Sequence, residues 1–125
     1  MSDIYREELL EHYRHPQNFG KLKKYTYSAD KPNPLCGDEI SLRVLLDKGR
    51  KVRNVKFQGT GCVLSIASAS LLTEWMKGKS IRQMQKLKPQ QVIKNLNIDV
   101  GPARRKCALL IYEAIQEILE KNKSL

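Results

Sequence analysis

The chain has 125 residues, a length that fits one domain with a sizeable core, here taken as residues 1–125. Its 23 Lys and Arg against 13 Asp and Glu give a net charge of +10, which suits an acidic protein partner. No run approaches the roughly 18 apolar residues of a membrane helix, and the acidic, polar start Met1–Glu8 does not read as a secretory signal.

Asp3–His15 carries Ile4, Leu9, Leu10 and Tyr13, with acids early and basic residues late, the order that complements a helix dipole. Ser2 or Asp3 can cap this helix and Pro16 stops it. A turn follows through Gly20. Tyr25–Ala29 reads as an outer strand, followed by a loop over Lys31–Pro34. Ile40–Leu46 is a strand with Ile40, Leu42 and Val44 on one face. The turn Asp47–Arg50 leads to a second strand, Lys51–Phe57, in which Val52, Val55 and Phe57 alternate imperfectly.

Past Cys62 the pattern turns helical. Leu64–Lys77 is ended by Gly78, Ser80–Lys86 is capped by Ser80, and Pro89 opens Pro89–Asn95. Ala103–Lys121 is long and amphipathic, with Cys107, Leu110, Ile111, Ala114, Ile115, Ile118 and Leu119 on one face. The last few residues should fray. The expected fold is α+β: a small three-stranded antiparallel sheet packed against helices, with a long C-terminal helix.

The three cysteines are widely spaced, odd in number and far from any Cys-x-x-Cys or zinc-finger pattern. Without an export signal they point to a reducing cytoplasm. Each has a setting suited to chemistry. Cys36 lies in Pro34-Leu35-Cys36-Gly37-Asp38, where glycine lets backbone approach an ion and Asp38 can reach the same centre. Cys62 follows the flexible loop Gly59-Thr60-Gly61 and opens a helix, where the dipole acidifies thiols. Cys107 follows Arg104-Arg105-Lys106, though it also falls on an apolar face and could simply pack. Taken together they suggest one site assembled from distant segments. A tetrahedral zinc or iron bound by three thiolates needs a fourth ligand, for which Asp38, Lys106, His12 and His15 are candidates. Asp38 is preferred, since lysine is protonated near neutrality; Lys106 then balances charge. Three sulfurs and one harder oxygen make a centre that releases its occupant, as a carrier requires and a structural site avoids.

At these residues the chain closely resembles the U-type iron–sulfur cluster assembly scaffolds: IscU, the N-terminal domain of NifU, and SufU. Tyr5 with Leu9–Asn18 and Gly20, the loop Asn33-Pro34-Leu35-Cys36-Gly37-Asp38, the segment Phe57–Cys62 with Ser65–Ser70, and Lys106-Cys107 carry the likeness across nearly the whole chain. The resemblance implies a transient [2Fe–2S] cluster, iron, a cysteine desulfurase donating persulfide sulfur, and apo iron–sulfur proteins as recipients. It places Cys36, Cys62, Cys107 and Asp38 at the cluster or metal, with Cys62 and Cys107 as persulfide acceptors and Lys106 beside them. Two segments depart from IscU. Lys106 stands where IscU has histidine, and Asp99-Val100-Gly101-Pro102-Ala103 replaces the segment a dedicated chaperone reads, so chaperone-driven release is not implied. Both departures resemble SufU, which binds zinc through three cysteines and an aspartate, but this chain lacks SufU's insertion between the second and third cysteines.

Three readings follow. The first is a cluster scaffold, a carrier more than a turnover enzyme. The second is a SufU-type zinc-bound sulfur acceptor that stimulates the desulfurase. The third is a structural zinc domain binding a partner or nucleic acid. The basic residues are scattered without a recognition helix or aromatic platform, which disfavours nucleic acid as a primary partner.

Overall fold

Alternating apolar residues in the middle of the chain build the sheet on which the helices pack. The computed structural model describes residues 3–33 and 37–123. Its elements are α1 (Asp3–Arg14), β1 (Tyr27–Asn33), β2 (Asp38–Leu46), β3 (Val52–Thr60), α2 (Val63–Met76), α3 (Ile81–Gln85), α4 (Pro89–Asn95), α5 (Pro102–Ala108) and α6 (Leu110–Lys123). The strands lie in the order β1-β2-β3, antiparallel throughout, which is the expected α+β arrangement.

Ile40, Leu42 and Val44 of β2 and Val52, Val55 and Phe57 of β3 are all buried. The imperfect alternation in β3 has a cause. Leu45 pairs with Asn54 but Leu46 pairs with Val52, so Arg53 is an extra residue in a bulge that resets the inward face.

Two strands run further than the sequence suggests. Lys31–Asn33, expected as loop, continues β1 in register with Ile40, Glu39 and Asp38. Pro32 is tolerated because β1 is an edge strand. Gly59 and Thr60, expected in a flexible loop, continue β3 opposite Ile40 and Glu39. Glycine is needed at 59 for contact, not flexibility: a Cβ there would stand 2.9 Å from Ile40 Cδ1.

α2 is the central helix, buried on nearly every side. Ile66, Ala69, Leu72 and Met76 join the sheet and α6 in the main core. Leu64 and Ala67 meet Leu9, Leu96 and Ala108 in a second cluster. The small polar residues between them are buried too, each bonded: Ser68 Oγ donates to Ala108 O at 2.7 Å and Thr73 Oγ1 to Ala69 O at 2.7 Å. Ser70 Oγ accepts from Gln17 N–H at 2.8 Å and lies 2.7 Å from His12 Nδ1, tying α1 to α2. Hydrogen bonding at each of these positions lets serine and threonine occupy the interior.

α1 contributes less than its sequence stripe suggests. Leu9 is buried, whereas Ile4 is 65% and Tyr13 40% exposed, because the helix docks on α2 along one narrow edge. The expected cap at Ser2 or Asp3 falls on Ser2 and the Asp3 side chain, outside the described residues. Of the last few residues expected to fray, Asn122 and Lys123 instead continue α6, and Ser124 and Leu125 lie outside the described residues. The long C-terminal helix forms from Pro102 to Lys123 with a local irregularity at Leu109. Bonds from Leu109 N–H to Arg105 O and from Glu113 N–H to Leu109 O, both 3.0 Å, carry the helix through it. Its apolar face is buried as anticipated. The shorter helices also start as read: Ser80 forms a capping box with Gln83, and Pro89 occupies the first turn of α4.

Candidate functional site

One end of the sheet meets the start of α2 and the side of α5, and there three of the chemistry-bearing residues come together. Asp38 opens β2, Cys62 is the N-cap residue of α2, and Cys107 lies in α5. One carboxylate oxygen and the two sulfurs all lie within 4.8 Å of one another. Two thiolates on a tetrahedral zinc stand roughly 3.8 Å apart, from a Zn–S bond of about 2.3 Å. Small side-chain rotations therefore suffice to close this group on an ion.

The three residues differ in access. Asp38 and Cys107 are buried, at 6% and 7% exposure, while Cys62 is exposed. Such a group has an occupied floor and one open thiol. Cys36 lies outside the described residues; its neighbour Gly37 adopts φ +73°, a conformation natural to glycine, and donates its N–H to Asn33 O at 2.9 Å.

Asp38 is held by donors. Ser65 Oγ donates to its Oδ2 at 2.5 Å, and the backbone N–H of Cys62 reaches the same oxygen at 3.3 Å. Behind it Gly61 has no side chain; a Cβ there would stand 2.8 Å from Asp38 Cγ. Gly61 thus makes room for the carboxylate. Asn33 Nδ2, at the end of β1, lies 3.9 Å from Cys107 Sγ, a weak contact between a buried amide and sulfur.

The other candidates stand apart from this group. His12 is engaged with Ser70 on the α1–α2 seam, and His15 is exposed just beyond α1. Lys106 is exposed and lines a cleft of about 460 Å³ with Pro32, Asn33, Pro89, Leu109, Tyr112 and Glu113. It is a neighbour of the thiols facing outward. Ser65, fully buried, was not singled out as a site residue from the sequence. Its signal was available: it lies three residues after Cys62, one helical turn on, so both face the same end of α2.

A sheet covered by helices, with two thiols and a carboxylate gathered at one end of it, is an arrangement that could hold a metal ion. The NifU-like N terminal domain model matches residues 4–124, and the chain belongs to that family, the U-type iron–sulfur cluster scaffolds. It is 37% identical over 123 residues to the "Iron-sulfur cluster assembly enzyme IscU" of Drosophila melanogaster, covering 96% of this chain and 79% of that protein. It is 34% identical to the "Zinc-dependent sulfurtransferase SufU" of Bacillus subtilis, covering 98% and 94%. That alignment runs over 142 positions, so SufU carries residues that this chain of 125 lacks. Among solved structures it is similar to a putative SUF-system scaffold from Fervidobacterium islandicum, with TM-score 0.78, 27% identity and coverage of 94% and 97%.

Proposed function

We propose that this protein is a scaffold on which an iron–sulfur cluster is assembled and from which it is delivered to apo iron–sulfur proteins. The observation that carries the reading is the convergence of Asp38, Cys62 and Cys107 from three separate elements. Cys36, two residues before Asp38 in sequence, is taken as the remaining ligand in this reading. Thiolates suit iron–sulfur clusters and zinc alike, and the single oxygen ligand weakens the hold.

The exposed thiol of Cys62 is the first sulfur acceptor in this reading, with Cys107 behind it. Its thiolate attacks the outer sulfur of a desulfurase cysteine persulfide. The donor's S–S bond breaks, its cysteine leaves as thiolate, and Cys62 becomes the persulfide. Assembly of a [2Fe–2S] cluster as cargo, a cysteine desulfurase as donor and a cytoplasmic setting belong to the same proposal. Similarity to proteins named as scaffolds supports it. Among the described residues no helix is long and apolar enough to cross a membrane. Anaerobic incubation with ferrous iron, cysteine, desulfurase and a thiol reductant, which supplies the electrons that turn persulfide sulfur into sulfide, should load iron and sulfide in equal amounts; protein that takes up no sulfide would overturn the reading.

A second reading, a zinc-bound sulfur acceptor, is favoured by Lys106 standing before Cys107 and by the likeness to zinc-dependent SufU. The same four residues would hold zinc, which would supply a fixed positive charge favouring thiolate. It predicts a several-fold rise in desulfurase turnover with stoichiometric zinc and no sulfide. The structural zinc domain is disfavoured because the main core of sheet, α2 and α6 closes without the site.

A further inference from the structure

The Ser65 side chain touches all three members of the thiol–carboxylate group. Its Oγ donates to Asp38 Oδ2 at 2.5 Å, lies 3.6 Å from Cys62 Sγ, and is 3.3 Å from the carbonyl oxygen of Cys107. It is fully buried, so water does not compete for the hydroxyl. A hydroxyl has one proton to give. The short distance to a carboxylate marks that bond as the charge-assisted, stronger one.

We propose that Ser65 is a positioning residue that sets the affinity of the site for its metal by fixing the Asp38 carboxylate. This rests on the reading of Asp38, Cys62 and Cys107 as ligands. A carboxylate carried on two rotatable bonds can point toward the thiols or away from them. Two donors on Oδ2, Ser65 Oγ and the Cys62 N–H, hold it where its oxygen stands within 4.8 Å of both sulfurs. The donors come from the first turn of α2, which also carries Cys62, so carboxylate and thiol are set by one rigid element. Gly61 closes the arrangement from the other side, where a Cβ would press on Asp38 at 2.8–3.1 Å. Hydrogen-bond partners of metal ligands change metal affinity by about 10–100-fold when removed.

The test is anaerobic titration of the full chain with cobalt(II), reading the thiolate-to-cobalt absorption that reports binding through sulfur. Ser65→Ala removes one oxygen and leaves a good helix former in place; far-UV circular dichroism checks the fold. Its cobalt affinity should fall about 10–100-fold. Introduced into Asp38→Ala, the same change should have no further effect, because Ser65 acts through the carboxylate. Gly61→Ala moves the carboxylate without touching Ser65 and should weaken cobalt binding in the same way, which keeps the test open should Ser65→Ala fold poorly. Wild-type affinity in Ser65→Ala, or an equal loss in the Asp38→Ala background, would overturn the proposal while leaving the ligand set standing. Wild-type protein that binds no cobalt through sulfur would overturn the ligand set, and the role of Ser65 with it.

Discussion

The carbonyl oxygen of Glu39 faces Gly59 so closely across the β2–β3 pair that a Cβ at Gly59 would stand 2.3 Å from it. This contact lies at the end of the strand that delivers Gly61 and Cys62 to the site. Gly59→Ala should therefore separate the strand ends, at a cost of about 1–3 kcal/mol. Urea denaturation should show a lower midpoint with unchanged slope. An unchanged midpoint would mean that the strand end yields without loss.

If the proposed ligands are three sulfurs and an oxygen, replacing Asp38 by cysteine would make a closed four-sulfur set, the kind that holds clusters permanently. Asp38→Cys should bind a reconstituted cluster that outlives the wild-type one. Transfer to an apo-ferredoxin, followed by circular dichroism in the visible, should slow by roughly tenfold, or about 1.4 kcal/mol of barrier. Transfer as fast as wild type would show that the oxygen ligand does not govern release.

Chelation should leave the fold intact. The main core joins Ile40, Leu42, Val55 and Phe57 to Met76, Ile111 and Ile115 with no contribution from Asp38 or Cys62. After removal of bound metal, far-UV circular dichroism at 25 °C should be unchanged and thermal unfolding should remain cooperative. Cooperative loss of structure on chelation would instead mark a structural metal site.

Lys31 on β1 and Glu117 on α6 form an ion pair at 2.9 Å that bridges sheet and helix. The hydrogen bond from Lys31 is the main cause holding the Glu117 carboxyl below its ordinary value of 4.5. A carboxyl lowered in the folded state stabilises above its unfolded value and ceases to do so as pH falls through its folded value. Both side chains are about a third exposed, so the effect is small, under about 1 kcal/mol. Glu117→Gln should lose stability at pH 7 and converge with wild type in strong acid; a constant gap from pH 7 downward would exclude this linkage.

Much of the fold was legible because its signals are local. Alternation marked β2 and β3, Ser80 and Pro89 marked helix starts, and a long apolar stripe marked the C-terminal helix. The errors came where tertiary contact decides. Lys31–Asn33 and Gly59-Thr60 carry loop-like residues, yet each continues a strand because β2 supplies partners on both sides. Val52, Val55 and Phe57 follow no simple period because a bulge shifts the register. At the site, Asp38, Cys62 and Cys107 could be nominated from their neighbours in sequence. Ser65 could be placed on the same face from its spacing one turn after Cys62, but only packing reveals that its hydroxyl lies between all three. Burial of Ser68, Ser70 and Thr73 was hidden for the same reason: their partners lie on other elements or on their own helix backbone.

The most direct test of the scaffold reading is anaerobic iron, zinc and acid-labile sulfide analysis of protein purified without added metal, together with its visible spectrum. The account predicts iron and sulfide in equal amounts with absorption bands in the visible, lost in Cys62→Ser and Cys107→Ser variants that remain folded. Stoichiometric zinc with no sulfide, and no cluster after reconstitution with desulfurase, would contradict it.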